Sequence, residues 1–358
     1  MTVARPERQV QAGEAERRDD AEPERERAAE PEHEREGAAE PERAAEPGPE
    51  RERAAEPEPE RERAAERQPS LRVAVLGIGL IGGSIGLAAR ARARARVTGW
   101  DPDPGVRARA LELHAVDDCA ADIPGAVAGA DVVFVAAPVG ALVQSVRAAL
   151  DGAGPETVVT DVGSTKRAVA EAISDPRFIA GHPLAGAQVS GVEHARADLF
   201  EGAVWYLADA DPRTRARARA PLPEERHALE DLIRALGAEP VAIDPELHDR
   251  LMATVSHLPH VLANLLVAQA VASLGEDLRA PLATGPSFRD ATRVAGSNSE
   301  IWTDIYMSNR DPLVAALDEL GGRLAQVRAI LQAGDAEGLR EWNERARAER
   351  EALPRADS

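Results

Sequence analysis

Residues 72–83 of the chain read RVAVLGIGLIGG, in which a short apolar run leads directly into a stretch with four glycines. The apolar run predicts a buried parallel strand, and the glycines predict a tight turn that opens a helix. Gly77 permits the turn, Gly79 lets the backbone approach a pyrophosphate, and Gly82 allows close packing of the helix. Because a helix N-terminus also attracts phosphate charge, this stretch predicts a dinucleotide site. A glycine-rich turn without a ligand is the alternative interpretation.

An acidic residue strengthens the first interpretation. Asp101 ends the next predicted strand, and its carboxylate can accept hydrogen bonds from ribose hydroxyls. The same carboxylate opposes a 2′-phosphate, and no arginine follows it before Arg107, so we predict NAD as the cofactor in preference to NADP. The predicted cofactor contacts are Gly77, Gly79, Leu80, Ile81, Gly82, Asp101 and Pro138.

Beyond these residues, short strand-like runs alternate with helical patterns. The predicted strands after the first are Arg96–Trp100, Asp131–Ala136, Thr157–Thr160, Arg177–Ala180, Ala203–Leu207 and Pro240–Ile243. This alternation implies βαβ units and a doubly wound sheet. From about Pro245 the pattern is helical, with apolar-periodic runs at Leu247–Leu274 and Pro312–Leu331. We therefore predict an α/β Rossmann dinucleotide-binding domain at 71–244 and an all-α domain at 245–358, whose apolar helices indicate a homodimer.

The first 70 residues have a different composition. They hold 13 Arg against 22 Asp and Glu, and between Thr2 and Ser70 there is no Leu, Ile, Met, Phe, Tyr or Trp. The tetrapeptide Ala-Ala-Glu-Pro recurs at Ala28, Ala38, Ala44 and Ala54. Such a segment cannot bury enough apolar surface to offset the entropy lost on ordering. Residues 1–70 are therefore predicted to be a disordered acidic tail, with a partner-binding arm as the alternative.

Charge and composition also exclude several classes of protein. The net charge is −19, which does not provide the basic surface of a nucleic-acid-binding protein. The apolar stretch Val73–Ala89 contains five glycines and fits a strand, turn and helix better than a membrane span. Cys119 is the only cysteine, which precludes an internal disulfide and a cysteine-based metal site. These features predict a cytoplasmic protein with no membrane, nucleic-acid or metal partner.

Three polar motifs follow predicted strands at the edge of the sheet where ligands bind in such folds. Pro138 lies on a loop expected to cover the cofactor, and Ser164 and Lys166 end the next motif, Asp-Val-Gly-Ser-Thr-Lys. Lys166 is the only lysine in the chain, so an ammonium point charge is expected to serve this site. A Ser-Thr helix cap followed by an incidental lysine is the alternative. His182 sits in a turn fixed by glycine and proline, which favours a proton acceptor over a structural histidine.

The helical half contains two further candidate motifs. Ser256-His-Leu-Pro-His260 lies within the long apolar run, where Pro259 should kink the helix and turn polar groups toward a cleft. Core histidines bonded to backbone carbonyls are the alternative. Arg293, in Phe-Arg-Asp-Ala-Thr-Arg, can form a bidentate pair with a substrate carboxylate, although an ordinary surface arginine needs no such role. His248 is interpreted as a surface residue.

Taken in order, GIGLIGGS, DVGSTK, HPLAG, SHLPH and FRDATR resemble the prephenate/arogenate dehydrogenase family of tyrosine biosynthesis over nearly all of Leu71–Leu331. The resemblance implies an NAD-binding Rossmann domain, a helical dimerisation domain and an active site in the cleft between them. It also implies a reaction in which hydride leaves the ring carbon that bears the 4-hydroxyl. The hydroxyl loses its proton, and the ring carboxylate departs as carbon dioxide.

Site roles carried over from the resemblance fall on residues already singled out. His182 would accept the 4-hydroxyl proton, and Ser164 would orient that histidine and the nicotinamide. Arg293 would bind a substrate carboxylate, while Ser256 and His260 would line the pocket for the substrate side chain, with Lys166 as a further substrate contact. HPLAG is followed by uncharged Ala187 and Gln188 where many members carry a charged residue, so prephenate is preferred and arogenate stays open.

Two other classes of protein share some of these features. A two-domain β-hydroxy acid dehydrogenase has the same glycine turn, but it usually relies on a lysine in the helical half, which has none here. A non-catalytic NAD-sensing module is the second alternative. Such a module has no need for His182, Ser164 and Arg293 together, so convergence of these three residues in one cleft would discriminate against it.

Overall fold

The computed structural model describes residues 71–186, 189–208, 223–274 and 284–353. Six described strands form one parallel sheet in the order β3-β2-β1-β4-β5-β6. Their bounds are β1 Arg72–Leu76, β2 Arg96–Trp100, β3 Asp118–Cys119, β4 Val132–Val135, β5 Val158–Asp161 and β6 Phe178–Ile179. The order reverses between β1 and β4, which creates a crevice at their carboxyl ends, as the Rossmann prediction requires.

Helices cover both faces of this sheet. They are α1 Leu80–Arg92, α2 Pro104–Glu112, α3 Ile123–Val127, α4 Val139–Gly152 and α5 Arg167–Ala172. Alternate side chains of β1 separate into two apolar clusters: Val73 and Val75 pack on one face, and Ala74 and Leu76 on the other. Burial on both faces explains why the strand is a continuous apolar run in the sequence.

A second, three-stranded sheet corrects the sequence prediction. It contains β7 Gly181–Pro183, β8 Val204–Ala208 and β9 Glu239–Ile243, in the order β7-β8-β9. The runs predicted at Ala203–Leu207 and Pro240–Ile243 thus form strands, but outside the Rossmann sheet. The β7–β8 pair is antiparallel and places Pro183 opposite Trp205. Both Pro183 and Pro240 fall on the outer strands of this small sheet, where a missing N–H is tolerated.

From Pro223 onward the described chain is helical apart from β9. The helices are α6 Pro223–Leu236, α7 Pro245–Met252, α8 Leu258–Leu274, α9 Pro286–Thr292, α10 Ser299–Ser308, α11 Arg310–Ala333 and α12 Ala336–Ala352. A π-helical turn, Ala253–His257, joins α7 to α8 directly before Pro259. The predicted irregularity is therefore present, because a proline without an N–H interrupts the regular hydrogen-bond ladder.

Much apolar surface of these helices faces solvent. Leu265, Leu266 and Val271 on α8 are each 44–55 % exposed, and Met307 and Val314 are also exposed. The stretch Pro245–Ser273 is long and apolar enough to cross a membrane by length and composition alone, yet only 28 % of its most apolar window is buried. Within the described chain nothing covers these side chains, so the helical half presents exposed apolar surface.

Candidate active site

The glycine turn between β1 and α1 is built on contacts that exclude side chains. Gly77 has φ +91°, and its amide donates to the Trp100 carbonyl oxygen at 2.7 Å. A Cβ on Gly82 would lie 1.9 Å from the Gly77 carbonyl oxygen, so α1 packs against the turn only because this position is glycine. Leu80 and Ile81 begin the helix at this point. The strand therefore delivers the chain directly into the N-terminus of α1.

This turn leaves space and charge for a dinucleotide. A Cβ on Gly79 would meet nothing within 4 Å, and no side chain caps the N-terminus of α1. The first turn also holds no acidic residue, so its N–H groups can receive a pyrophosphate. Asp101 lies beside them, because its Oδ2 accepts from the Ile78 amide at 3.0 Å. The residues therefore fit a dinucleotide with its ribose at Asp101.

Two neighbouring features complete the cofactor side. Pro138 stands at the start of α4, at the carboxyl end of β4, and is exposed. Arg107 donates to the backbone carbonyl of Asp101, and no ion pair joins its guanidinium to the Asp101 carboxylate among the described residues. That arrangement is consistent with a ribose that carries free hydroxyls.

A cleft of about 700 Å³ opens between the small sheet and the helical half. Hydroxyl, imidazole, amide and guanidinium side chains on its wall are those of Ser164, His182, Ser190, Ser256, His257, Arg293, Ser297 and Asn298. Arg293 is the one permanently charged side chain among the described lining residues, and no described carboxylate forms an ion pair with it. The cleft therefore offers an unpaired cation to an anionic ligand.

His182 reaches the cleft from the middle of β7, and its ring is fixed from behind. Its Nδ1 lies 2.9 Å from Nε2 of His248, and Nδ1 of His248 lies 2.8 Å from Oδ1 of Asp249. His248 is fully buried and Asp249 is 1 % exposed, so the expected surface position of His248 is wrong. The signal in the sequence was the spacing of His248 and the buried Met252, four residues apart on one face of α7.

Ser164 and Ser256 also line the cleft. However, the hydrogen bond found on the His182 ring joins it to His248 and not to Ser164. The Ser164 hydroxyl therefore faces the same cleft as His182 without holding its ring in the described structure.

Lys166 does not contact the cleft. Its side chain is fully buried, forms an ion pair with Asp161 and donates to the Gly181 carbonyl oxygen at 2.6 Å. Asp161 in turn accepts from the amides of Gly163 at 2.8 Å and Gly181 at 3.0 Å. The expected substrate contact is thus replaced by a buried ion pair that ties together the segments preceding Ser164 and His182. The sequence pattern did not indicate that Lys166 pairs with Asp161, which lies five residues earlier and across a turn.

His260 also lies behind the cleft wall. It is 4 % exposed, and its ring stacks on Trp302 with centroids 3.6 Å apart. Its Nδ1 is hydrogen-bonded to the hydroxyl of Tyr306. Trp302 lines the cleft in its place, so His260 supports the wall and does not form it.

Burial favours the neutral form of His182 and His257. It lowers the pKa of His182 well below the usual value, and neighbouring His248, Lys166 and His257 act in the same direction. It also lowers the pKa of His257 from 6.5 to about 4, although Asp249 opposes the shift. A neutral imidazole carries a free lone pair, so His182 is ready to accept a proton at neutral pH.

A Rossmann turn, an Asp101 ribose site and a cleft with a neutral histidine and an unpaired arginine define an NAD-dependent dehydrogenase with two domains. Two family models match the chain. One is the nucleotide-binding domain of prephenate dehydrogenase, over residues 85–219, and the other is its dimerization domain, over residues 244–344. The chain belongs to the prephenate dehydrogenase family.

Individual relatives agree with the family models. Prephenate dehydrogenase of Bacillus subtilis is 33 % identical over 292 residues, which cover 79 % of this chain and 76 % of the relative. Cyclohexadienyl dehydrogenase of Zymomonas mobilis is 32 % identical, with 78 % of this chain and 95 % of the relative covered. The crystal structure of Aquifex aeolicus prephenate dehydrogenase with hydroxyphenyl propionate and NAD+ shares the fold, with a TM-score of 0.72, 24 % identity and coverage of 80 % and 100 %.

Proposed function

We propose that the protein converts prephenate to 4-hydroxyphenylpyruvate and carbon dioxide with NAD as the oxidant. The observation that carries this proposal is the cleft itself, which is lined by both a neutral His182 and an unpaired Arg293. NAD, when bound, accepts the hydride from the ring carbon that bears the hydroxyl. His182 takes the hydroxyl proton as that carbon is oxidised, and the proton returns to the oxygen when the ring becomes aromatic. The ring carboxylate leaves as carbon dioxide, and its bonding electrons enter the ring.

Arg293 holds a carboxylate through two parallel N–H donors. The carboxylate is present before and after the hydride is transferred, so this contact supplies binding energy and orientation. Ser164 and Ser256 offer hydroxyls to the remaining oxygens of the substrate.

Prephenate is preferred over arogenate on the charge of the cleft. Arogenate carries an amine, and a cationic amine is best met by a carboxylate. No Asp or Glu lines the cleft among the described residues. Ala187 and Gln188, the uncharged pair that first favoured prephenate, lie outside the described residues.

A second copy of the chain is the partner that we propose for the apolar face of α8. The exposed apolar surface of α8 includes Leu265, Leu266 and Val271, and it lies within the match to the family's dimerization domain. The expected result is a homodimer at micromolar concentration, measured by light scattering. We also propose a cytoplasmic setting, with which a single cysteine and therefore no internal disulfide is consistent.

The activity is tested by following the absorbance of reduced nicotinamide with each pair of substrate and cofactor. We expect turnover with prephenate and NAD, slower turnover with NADP, and little with arogenate. Exclusive turnover of arogenate would contradict the substrate assignment, and a higher kcat/KM with NADP would contradict the role of Asp101.

A further inference from the structure

Behind His182 lies a chain of hydrogen bonds that ends at a carboxylate. Asp249 accepts on both oxygens from backbone amides: Oδ1 from Lys166 at 2.7 Å and Oδ2 from Arg167 at 3.0 Å. The same Oδ1 lies 2.8 Å from Nδ1 of His248. Since an ionised carboxylate only accepts hydrogen bonds, Nδ1 of His248 must carry a hydrogen.

The position of the hydrogen on the His248 ring determines its position on the His182 ring. An imidazole with a single hydrogen, held on Nδ1, has its lone pair on Nε2. That atom lies 2.9 Å from Nδ1 of His182, so Nδ1 of His182 must be the donor of this bond. Neutral His182 then has its only lone pair on Nε2. Through two hydrogen bonds, the Asp249 carboxylate thus determines which nitrogen of the His182 ring carries the hydrogen.

We infer that His248 and Asp249 are positioning residues that hold His182 in the Nδ1–H tautomer, with Nε2 as the proton acceptor. This inference rests on the proposed role of His182 in prephenate oxidation. The pair also resists rotation of the His182 ring, because His248 is clamped between Asp249 and the ring of Tyr206, whose centroid lies 5.6 Å away. Lys166 and His257 are the other titratable side chains that act on His182, and both disfavour a charge on its ring.

The helix that carries the pair explains how it reaches β7. Asp244 caps α7 by accepting from the Leu247 amide at 2.8 Å, and the first turn then places His248 and Asp249 on its buried side. Asn309 fixes the other end of this turn, since its Nδ2 donates to the Asp249 carbonyl oxygen at 2.7 Å. A site in the Rossmann half is therefore oriented by a helix of the second domain.

The tautomer can be measured directly in the full-length protein labelled with ¹⁵N in its imidazole rings. Long-range ¹H–¹⁵N correlation spectra distinguish a protonated from an unprotonated ring nitrogen, and His182→Asn assigns the signals. We expect protonated Nδ1 and unprotonated Nε2 at His182, the reverse of the form that a free neutral imidazole prefers. A protonated Nε2 at His182 would overturn the inference, whatever the enzyme turns over.

Kinetics provide the second measurement. His248→Phe keeps an aromatic ring but removes the acceptor, and it should lower kcat by about 10²-fold with KM for prephenate changed less than about threefold. His248→Gln retains a carbonyl acceptor and should recover part of the lost kcat. The same change at an exposed position, His227→Phe on α6, is the control and should leave kcat unchanged.

The outcomes separate this inference from the proposed function. A folded His248→Phe protein with normal kcat would refute the positioning role, even if prephenate is the substrate. If neither prephenate nor arogenate is turned over, the proposed function fails, while the spectra still decide the tautomer. If His248→Phe does not fold, the spectra of the unaltered protein decide the question.

Discussion

Replacing His257 with Phe should make the protein less sensitive to acid. His257 is 1 % exposed, and its Nδ1 lies 3.0 Å from the Asn309 amide nitrogen, which donates to it. The buried ring is therefore held neutral, and protonation would remove this acceptor. Burial lowers its pKa in the folded protein to about 4, against 6.5 for an exposed histidine.

The size and sign of the effect follow from this difference. Above pH 6.5 the ring is neutral in both states, and its ionisation contributes nothing to the pH dependence. As the pH falls from 6.5 to about 4, the unfolded chain binds a proton that the folded protein refuses, so the free energy of unfolding decreases. The full difference is worth about 3 kcal/mol, of which about 2 kcal/mol is already lost at about pH 5.

Urea unfolding at about pH 7.5 and about pH 5, at one protein concentration, measures this loss. His257→Phe removes the Asn309 bond at both pH values, so that cost cancels when the two pH values are compared. The variant should lose about 2 kcal/mol less than the parent between them. His227→Phe, an exposed histidine on α6, should behave like the parent. An equal loss in parent and His257→Phe would refute the burial argument.

Other predictions concern the site. Gly79→Ala should leave the melting temperature unchanged but weaken NAD binding at least about tenfold. Gly82→Ala should instead destabilise the fold, because its Cβ would lie 1.9 Å from a carbonyl oxygen. Equal melting temperatures for the two variants would contradict this difference. Arg293→Ala should raise KM for prephenate at a cost of about 2–5 kcal/mol of binding. Arg293→Lys should recover only part of the lost binding energy. An unchanged KM in Arg293→Ala would exclude the role of Arg293 in binding the carboxylate. The acid limb of kcat/KM should lie below pH 6.5 and disappear in His182→Asn, with kcat about 10²–10⁴-fold lower; an unaltered profile would remove His182 as the base.

Most of the Rossmann sheet was predictable because its strands are buried on both faces and therefore stand out as apolar runs between glycines. The sequence pattern did not say which sheet a strand joins, and the runs near Trp205 and Pro240 were assigned to the wrong one. Strand membership depends on pairing between distant segments, here β8 with β7 and β9. Local periodicity in the sequence does not show which distant strands pair.

The site was predictable where one residue type needs an unusual setting, as at Gly77 and His182. The sequence-based interpretation was wrong at His248 and Lys166, because each is a polar residue that is buried against a partner on another segment. A polar side chain normally indicates solvent or a ligand. Its burial becomes visible only when the segment that supplies its hydrogen-bond partner is folded against it.

The burial of Lys166 also determines how the protein can be labelled. It is the only lysine in the chain, and its ammonium is enclosed by Asp161 and a backbone carbonyl. Amine-directed dyes, biotin esters and surface couplings should therefore leave the Lys166 side chain of the folded protein unmodified. Modification of Lys166 by such a reagent would report that the core around Asp161 has opened.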